Sequence, residues 1–313
     1  MNNIHVDCVL DIKANLGEGP IWSTADQNLY WVDINNCQLN KFNPINGKNK
    51  TINVGKPIGC FAIKKNLNII LALTNGFFEL NQNDKSMKFI NNPENNILDN
   101  RFNDGTVDLN GRFYAGTMAI NGSNINAEPK GSLYCLDQSG KTKKTMEGFH
   151  TINGLAFSPE GRTAYISDSA PWIRTIWAYD YDLDEGIWSN KRIFFDTKDI
   201  AGRPDGGCVD TDGCYWMAGV SGWEIVRLTP KGNIDMIIKM PVEKPTKIAF
   251  GGKNLDIIYV TSIGKDITKG TEKKQPLAGG IFALKVPGVK GCLLYTSDAA
   301  DEGLGVDLGG RRI

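Results

Sequence analysis

The chain has 313 residues, 41% of them hydrophobic, and its 35 basic and 35 acidic side chains cancel. Neutrality without a Lys/Arg cluster removes the electrostatic case for nucleic acid, and no run approaches the roughly 18 apolar residues that cross a bilayer. Cysteines scattered without a CxxC pair read as reduced, mostly buried thiols, and Met1 to Asp7 lack the basic and apolar regions of a secretory leader, so a cytoplasmic protein is expected.

The first predicted element, Val6 to Ile12, alternates in polarity and precedes any repeat. After it, one short pattern recurs six times. Its apolar runs are Leu29 to Ile34, Ile69 to Thr74, Phe113 to Met118, Ala164 to Ser169, Cys214 to Gly219 and Ile258 to Ile263, spaced roughly 40 to 51 residues apart. That is the period of propeller blades. Each run is followed by a second strand-like segment that ends polar: Gln38 to Pro44, Gly76 to Gln82, Gly131 to Asp137, Thr175 to Asp182, Glu224 to Pro230 and Gly280 to Val286. Each is preceded by a strand that starts at a turn. The opening turns are Gly17-Glu18-Gly19-Pro20, Ile58-Gly59-Cys60, Asn103-Asp104-Gly105, Ile152-Asn153-Gly154, Pro204-Asp205-Gly206-Gly207 and Pro245-Thr246-Lys247. The expected fold is all-β, a single six-bladed β-propeller spanning residues 1–291, with Val6 to Ile12 pairing into the sixth blade to close the ring.

Two connections are longer than the rest. Ala119 to Lys130 in blade three is a candidate cover for the axis, whereas Gly264 to Gly279 in blade six, rich in lysine, is expected to be a solvated excursion.

Equivalent positions in a closed ring point toward one axis, so the opening turns bring Glu18, Asn103, Asn153 and Asp205 together. Two carboxylates and two carboxamide oxygens suit Ca²⁺, Mg²⁺ or Mn²⁺, and a carboxylate-containing site also takes Zn²⁺. The same residue types also cap ordinary turns, and spacing alone does not choose between these readings. Only His5 and His150 are present, which excludes a Ser-His-Asp triad and a multi-histidine zinc site. The glycine-rich Gly202 to Gly207 lacks the spacing and following helix of a phosphate loop. Most tryptophans read as blade packing; Trp172 and Trp223, just past strand ends, are candidate pocket walls.

The motifs Gly17-Glu18-Gly19-Pro20-Ile21-Trp22, Asn100-Arg101-Phe102-Asn103-Asp104-Gly105, Gly116-Thr117-Met118, Ile152-Asn153-Gly154-Leu155 and Pro204-Asp205-Gly206, in register with Gln275 to Phe282, resemble the gluconolactonase/regucalcin (senescence marker protein) family from about residue 7 to 291. The resemblance implies a six-bladed propeller with one divalent metal ion on its axis that hydrolyses sugar lactones. It maps the metal ligands onto Glu18, Asn153 and Asp205, and substrate contacts onto Arg101 and Asn103. Where regucalcin-like members carry acidic residues that hold sugar hydroxyls, this chain has Ile120 and Asn121. Asn121 still offers hydrogen bonds to a hydroxyl but no charge, so the identity of the substrate is open.

On that footing Asp205 is the expected general base, with Asp104 its rival or else a turn-stabilising side chain. Arg101 offers a fork of donors to ring or acid oxygens, or else forms a surface ion pair. The expected activity is metal-dependent hydrolysis of a small-molecule sugar-acid lactone, with no nucleic-acid or membrane partner. Two alternatives stand: an esterase acting on a non-sugar lactone or phosphotriester, and a non-enzymatic calcium-binding propeller. From Cys292 to Ile313 the composition changes abruptly, without Asn or Lys, and the text resembles an in-frame translation of a sequencing-library adapter; residues 292–313 are therefore not expected to be native.

Overall fold

The apolar runs become the second strand of each blade: Asn28–Asp33, Ile69–Leu73, Phe113–Ala119, Thr163–Asp168, Tyr215–Val220 and Ile257–Ser262. They are buried on both faces for almost their whole length, which is why they read as continuous apolar stretches rather than alternating ones. The structure, a computed structural model, describes residues 4–97, 99–120 and 124–292. Residues 293–313, most of the segment read as adapter-derived, lie outside the described residues.

Among the described residues there are six four-stranded antiparallel sheets. Five follow chain order. The sixth is ordered Val6–Leu10, Ile281–Leu284, Ile257–Ser262, Pro245–Gly251, so the early strand closes the ring as expected. The first strand of every blade touches the first strands of both neighbours, making an inner ring around the axis. Between blades lie apolar layers, such as Tyr30, Val32, Phe61 and Leu71, or Trp216, Ile225, Ile248 and Phe282. Fourth strands such as Lys48–Asn53 and Ile187–Asp196 are largely exposed. No helix among the described residues is long and apolar enough to cross a membrane.

One irregularity repeats in all six blades. The pairing of first and second strand shifts register within the opening turn: between Glu18 and Ile21, Ile58 and Cys60, Phe102 and Gly105, Asn153 and Ala156, Pro204 and Gly207, and Pro245 and Ile248. A bulge of this kind breaks the ladder locally and re-aims side chains. In five of the six blades the residues of the bulge include polar side chains: Glu18, Asn103 and Asp104, Asn153, Asp205, and Thr246 and Lys247.

The loop of blade six departs from expectation. Its lysines Lys265, Lys269, Lys273 and Lys274 are exposed, but the loop itself is anchored. The buried Glu243 carboxylate accepts hydrogen bonds from the Thr268 amide (2.9 Å) and hydroxyl (2.5 Å) and from Gln275 Nε2 (3.3 Å). Counting lysines revealed the solvated face but not the single glutamine that inserts.

Candidate functional site

The six bulges deliver different chemistry to the axis. Blade one gives Glu18, blade three Asn103 and Asp104, blade four Asn153, blade five Asp205, and blade six Thr246 and Lys247. Blade two gives only backbone. A Cβ on Gly59 would stand 2.2 Å from the Phe102 carbonyl, so no side chain fits there.

A chain of hydrogen bonds fixes the two carboxamides. Asn103 Nδ2 donates to the Ile152 carbonyl (2.9 Å) and to Asn153 Oδ1 (3.0 Å), while its Oδ1 accepts from the Arg101 guanidinium (2.9 Å). Asn153 Nδ2 donates to Ser169 Oγ (2.7 Å), and Ser169 Oγ donates to the Pro204 carbonyl. Both donors of Asn103 are spent inside the protein, so a ligand can meet only the remaining lone pair of its Oδ1. Asn153 keeps a lone pair on the Oδ1 that faces Asn103. Behind them Gly154 holds φ +63°, and Tyr215 Oη donates to its carbonyl (2.7 Å).

Asp104 is occupied. It accepts from the Gly105 amide (2.8 Å), the Leu155 amide (3.1 Å) and the Lys247 ammonium (2.5 Å), and Lys247 also donates to the Gly105 carbonyl (2.8 Å). Of its two expected roles, rival base and structural side chain, the geometry fits the second. Burial works against the Lys247 ammonium, but the Asp104 charge, its hydrogen bond and Glu18 outweigh it and raise its pKa. Lys247 also lines a largely apolar cavity of about 270 Å³ with Leu155, Phe157 and Phe250.

The two remaining carboxylates lack such compensation. Burial, then the negative charge of Asp104, lifts Glu18 from 4.5 to about 7, despite Lys247, the Gly19 amide (2.7 Å) and Arg101. Burial and then the charges of Glu18 and Asp104 push Asp205 well above the ordinary carboxylate range. Arg101 is no surface ion pair: burial pulls its guanidinium below the usual value, against the charges of Glu18 and Asp205.

Among the described residues, no three His, Cys, Asp or Glu side chains gather closely enough to hold a metal. The donor set is instead two carboxylates whose pKa values are raised, Glu18 and Asp205, and the Asn153 carboxamide oxygen that accepts from Asn103. Hard oxygen donors whose ionisation is disfavoured by burial and neighbouring negative charge are relieved by a divalent cation, so the residues present fit one. Asn121 lies outside the described residues, as does part of the blade-three loop considered as a cover. Its neighbour Ile120 is half exposed, with its amide bound to the Asp99 carbonyl (2.7 Å). Trp172 packs edge-on against His150 at 5.1 Å, and Trp223 holds φ +57°, an uncommon conformation for a bulky residue.

Sequence reasoning missed Ser169, Thr246 and Lys247 as parts of this site. Thr246 and Lys247 stood in a recognised opening turn and Ser169 closed an apolar run. Position within the repeat was therefore the available signal.

Residues 16–264 match the family model described as SMP-30/Gluconolactonase/LRE-like region. Regucalcin of Xenopus laevis is 34% identical over 294 residues, covering 93% of this chain and 97% of its own length. A solved luciferin-regenerating enzyme superposes with a TM-score of 0.87 at 29% identity, covering 95% of this chain and 99% of its own. A calcium-binding protein, regucalcin, from Agrobacterium tumefaciens superposes at 0.88 with 23% identity, covering 94% and 98%, and this likeness shows the fold.

Proposed function

The chain belongs to the SMP-30/gluconolactonase/LRE-like family, and from that premise we propose that it is a divalent-metal-dependent lactonase acting on a sugar-acid lactone such as an aldono-1,5-lactone. Glu18, Asn153 and Asp205 would hold the ion. A divalent ion bound there polarises a carbonyl oxygen and acidifies water.

The chain's own residues supply the rest. Asp205, whose pKa burial and Glu18 hold up, accepts the proton of the attacking water. Arg101, half-buried and steered by Asn103 Oδ1, offers guanidinium donors to the lactone oxygens. Water adds to the carbonyl carbon, the ring C–O bond breaks, and the proton taken by Asp205 returns to the departing oxygen, leaving the hydroxy acid. Asn121 is proposed to hydrogen-bond a substrate hydroxyl.

The single observation that carries this reading is the pair of bulge carboxylates from different blades, Glu18 and Asp205, whose pKa values are both raised by burial and neighbouring negative charge, beside the fixed Asn153 carboxamide. The test is lactone opening by chelator-stripped protein resupplied with Ca²⁺, Zn²⁺, Mg²⁺ or Mn²⁺, beside Asp205→Ala. Turnover by Asp205→Ala after loss of its metal would refute the mechanism. A second reading, calcium binding without turnover, is favoured by the description of the Agrobacterium neighbour as a calcium-binding protein. It gains if metal-loaded wild type opens no lactone.

A further inference from the structure

Two buried hydroxyls outside the donor set make the same contact in different blades. Ser169 follows the second strand of blade four and is 5% exposed; Thr246 lies in the bulge of blade six and is 0% exposed. Ser169 Oγ donates to the carbonyl of Pro204, the residue before Asp205 in blade five. Thr246 Oγ1 donates to the carbonyl of Gly17, the residue before Glu18 in blade one (2.5 Å). Each tie runs from one blade to the next, and each reaches the backbone immediately before a carboxylate.

The strands need such ties. At Glu18 and at Asp205 the bulge interrupts the ladder that would otherwise hold the backbone. A hydroxyl has one proton to give. With that of Ser169 directed to Pro204, its oxygen can only accept from Asn153 Nδ2 (2.7 Å), which turns Asn153 Oδ1 away, toward Asn103. Thr246 Oγ1 also lies within hydrogen-bonding distance of Thr261 Oγ1 (2.8 Å).

We infer that Ser169 and Thr246 are positioning residues for the cation site: each fixes the backbone that presents one carboxylate, and Ser169 also decides which atom of Asn153 faces the axis. This rests on the reading of Glu18, Asn153 and Asp205 as cation donors. Groups behind a ligand that hold its orientation are typically worth about 10–100-fold in metal affinity.

The experiment titrates Ca²⁺ by calorimetry into chelator-stripped full-length protein and records Tm in chelator. The variants are Ser169→Ala, Thr246→Val and Thr246→Ser. Thr246→Val keeps the volume and loses the hydroxyl; Thr246→Ser keeps the hydroxyl. The expected result is Ca²⁺ binding about tenfold weaker in Ser169→Ala and Thr246→Val, with Thr246→Ser close to wild type. A merely structural role would lower Tm in chelator and leave the affinity unchanged, and that result overturns the inference alone. Should Ser169→Ala not fold, the Thr246 pair decides. Wild type that takes up neither Ca²⁺ nor Mn²⁺, Mg²⁺ or Zn²⁺ overturns the cation site and this inference with it.

Discussion

Replacing Glu18 by Gln should stabilise the metal-free protein at alkaline pH, although it removes a proposed ligand. The Glu18 carboxyl is raised from 4.5 to about 7, chiefly by burial and then by the charge of Asp104. A raised acid favours folding at low pH: its contribution is fully present below about 4.5 and is lost as pH climbs through about 7. At about 1.36 kcal/mol per pH unit, the shift corresponds to roughly 3 kcal/mol at pH 8. Partial exposure of the side chain trims that to about 2–3 kcal/mol. Gln carries no proton to lose, and its Oε1 can still accept from the Gly19 amide. Urea unfolding in chelator from pH 4.5 to 8.5 reads the effect of Glu18 together with that of the groups its charge touches, because groups that do not interact with Glu18 cancel in the difference between variant and wild type. That difference should move by about 2–3 kcal/mol in favour of Glu18→Gln over this range. Saturating Ca²⁺ should reverse the order at pH 8, since only wild type keeps the full donor set. A difference independent of pH would refute the account of the site's electrostatics.

Other consequences can be measured directly. Lys247→Met leaves Asp104 charged and buried without its ammonium, and should cost about 3–5 kcal/mol in urea unfolding. Adding Asp104→Asn should recover part of that loss, and a double variant no more stable than Lys247→Met would show that the charge is not responsible. Gly154→Ala places a methyl 2.4 Å from Tyr215 Oη at φ +63°, so Tm should fall by several degrees; an unchanged Tm would mean that the turn relaxes freely. Removing residues 292–313 should leave Tm within error, as expected of a segment foreign to the propeller; a large drop would show it to be native.

The architecture was legible because its signal is repeated. Six buried second strands leave six apolar runs, and the turn before each marks the bulge that faces the axis. The same repetition picked out Glu18, Asn103, Asn153 and Asp205. The partnerships were not legible. Ser169 meets Pro204 35 positions away, Lys247 meets Asp104 143 positions away, and Thr246 meets Gly17 229 positions away. A hydroxyl that binds a backbone carbonyl of another blade needs no particular residue type at the far end, so no motif records it. Asp104 illustrates the opposite difficulty. Its residue type suited a base as well as a brace, and only the ammonium arriving from blade six separates the two roles.

The strand Val6–Leu10 precedes every other strand of the ring in the chain, and its partner Ile281–Leu284 is made after all of them. Until then the nascent protein is an open arc whose two ends each show unsatisfied amides and carbonyls, and the Thr246 tie to Gly17 cannot form. The complete ring therefore comes into being only once Ile281–Leu284 has emerged, which places its greatest exposure to sticking and to chaperones in the interval before.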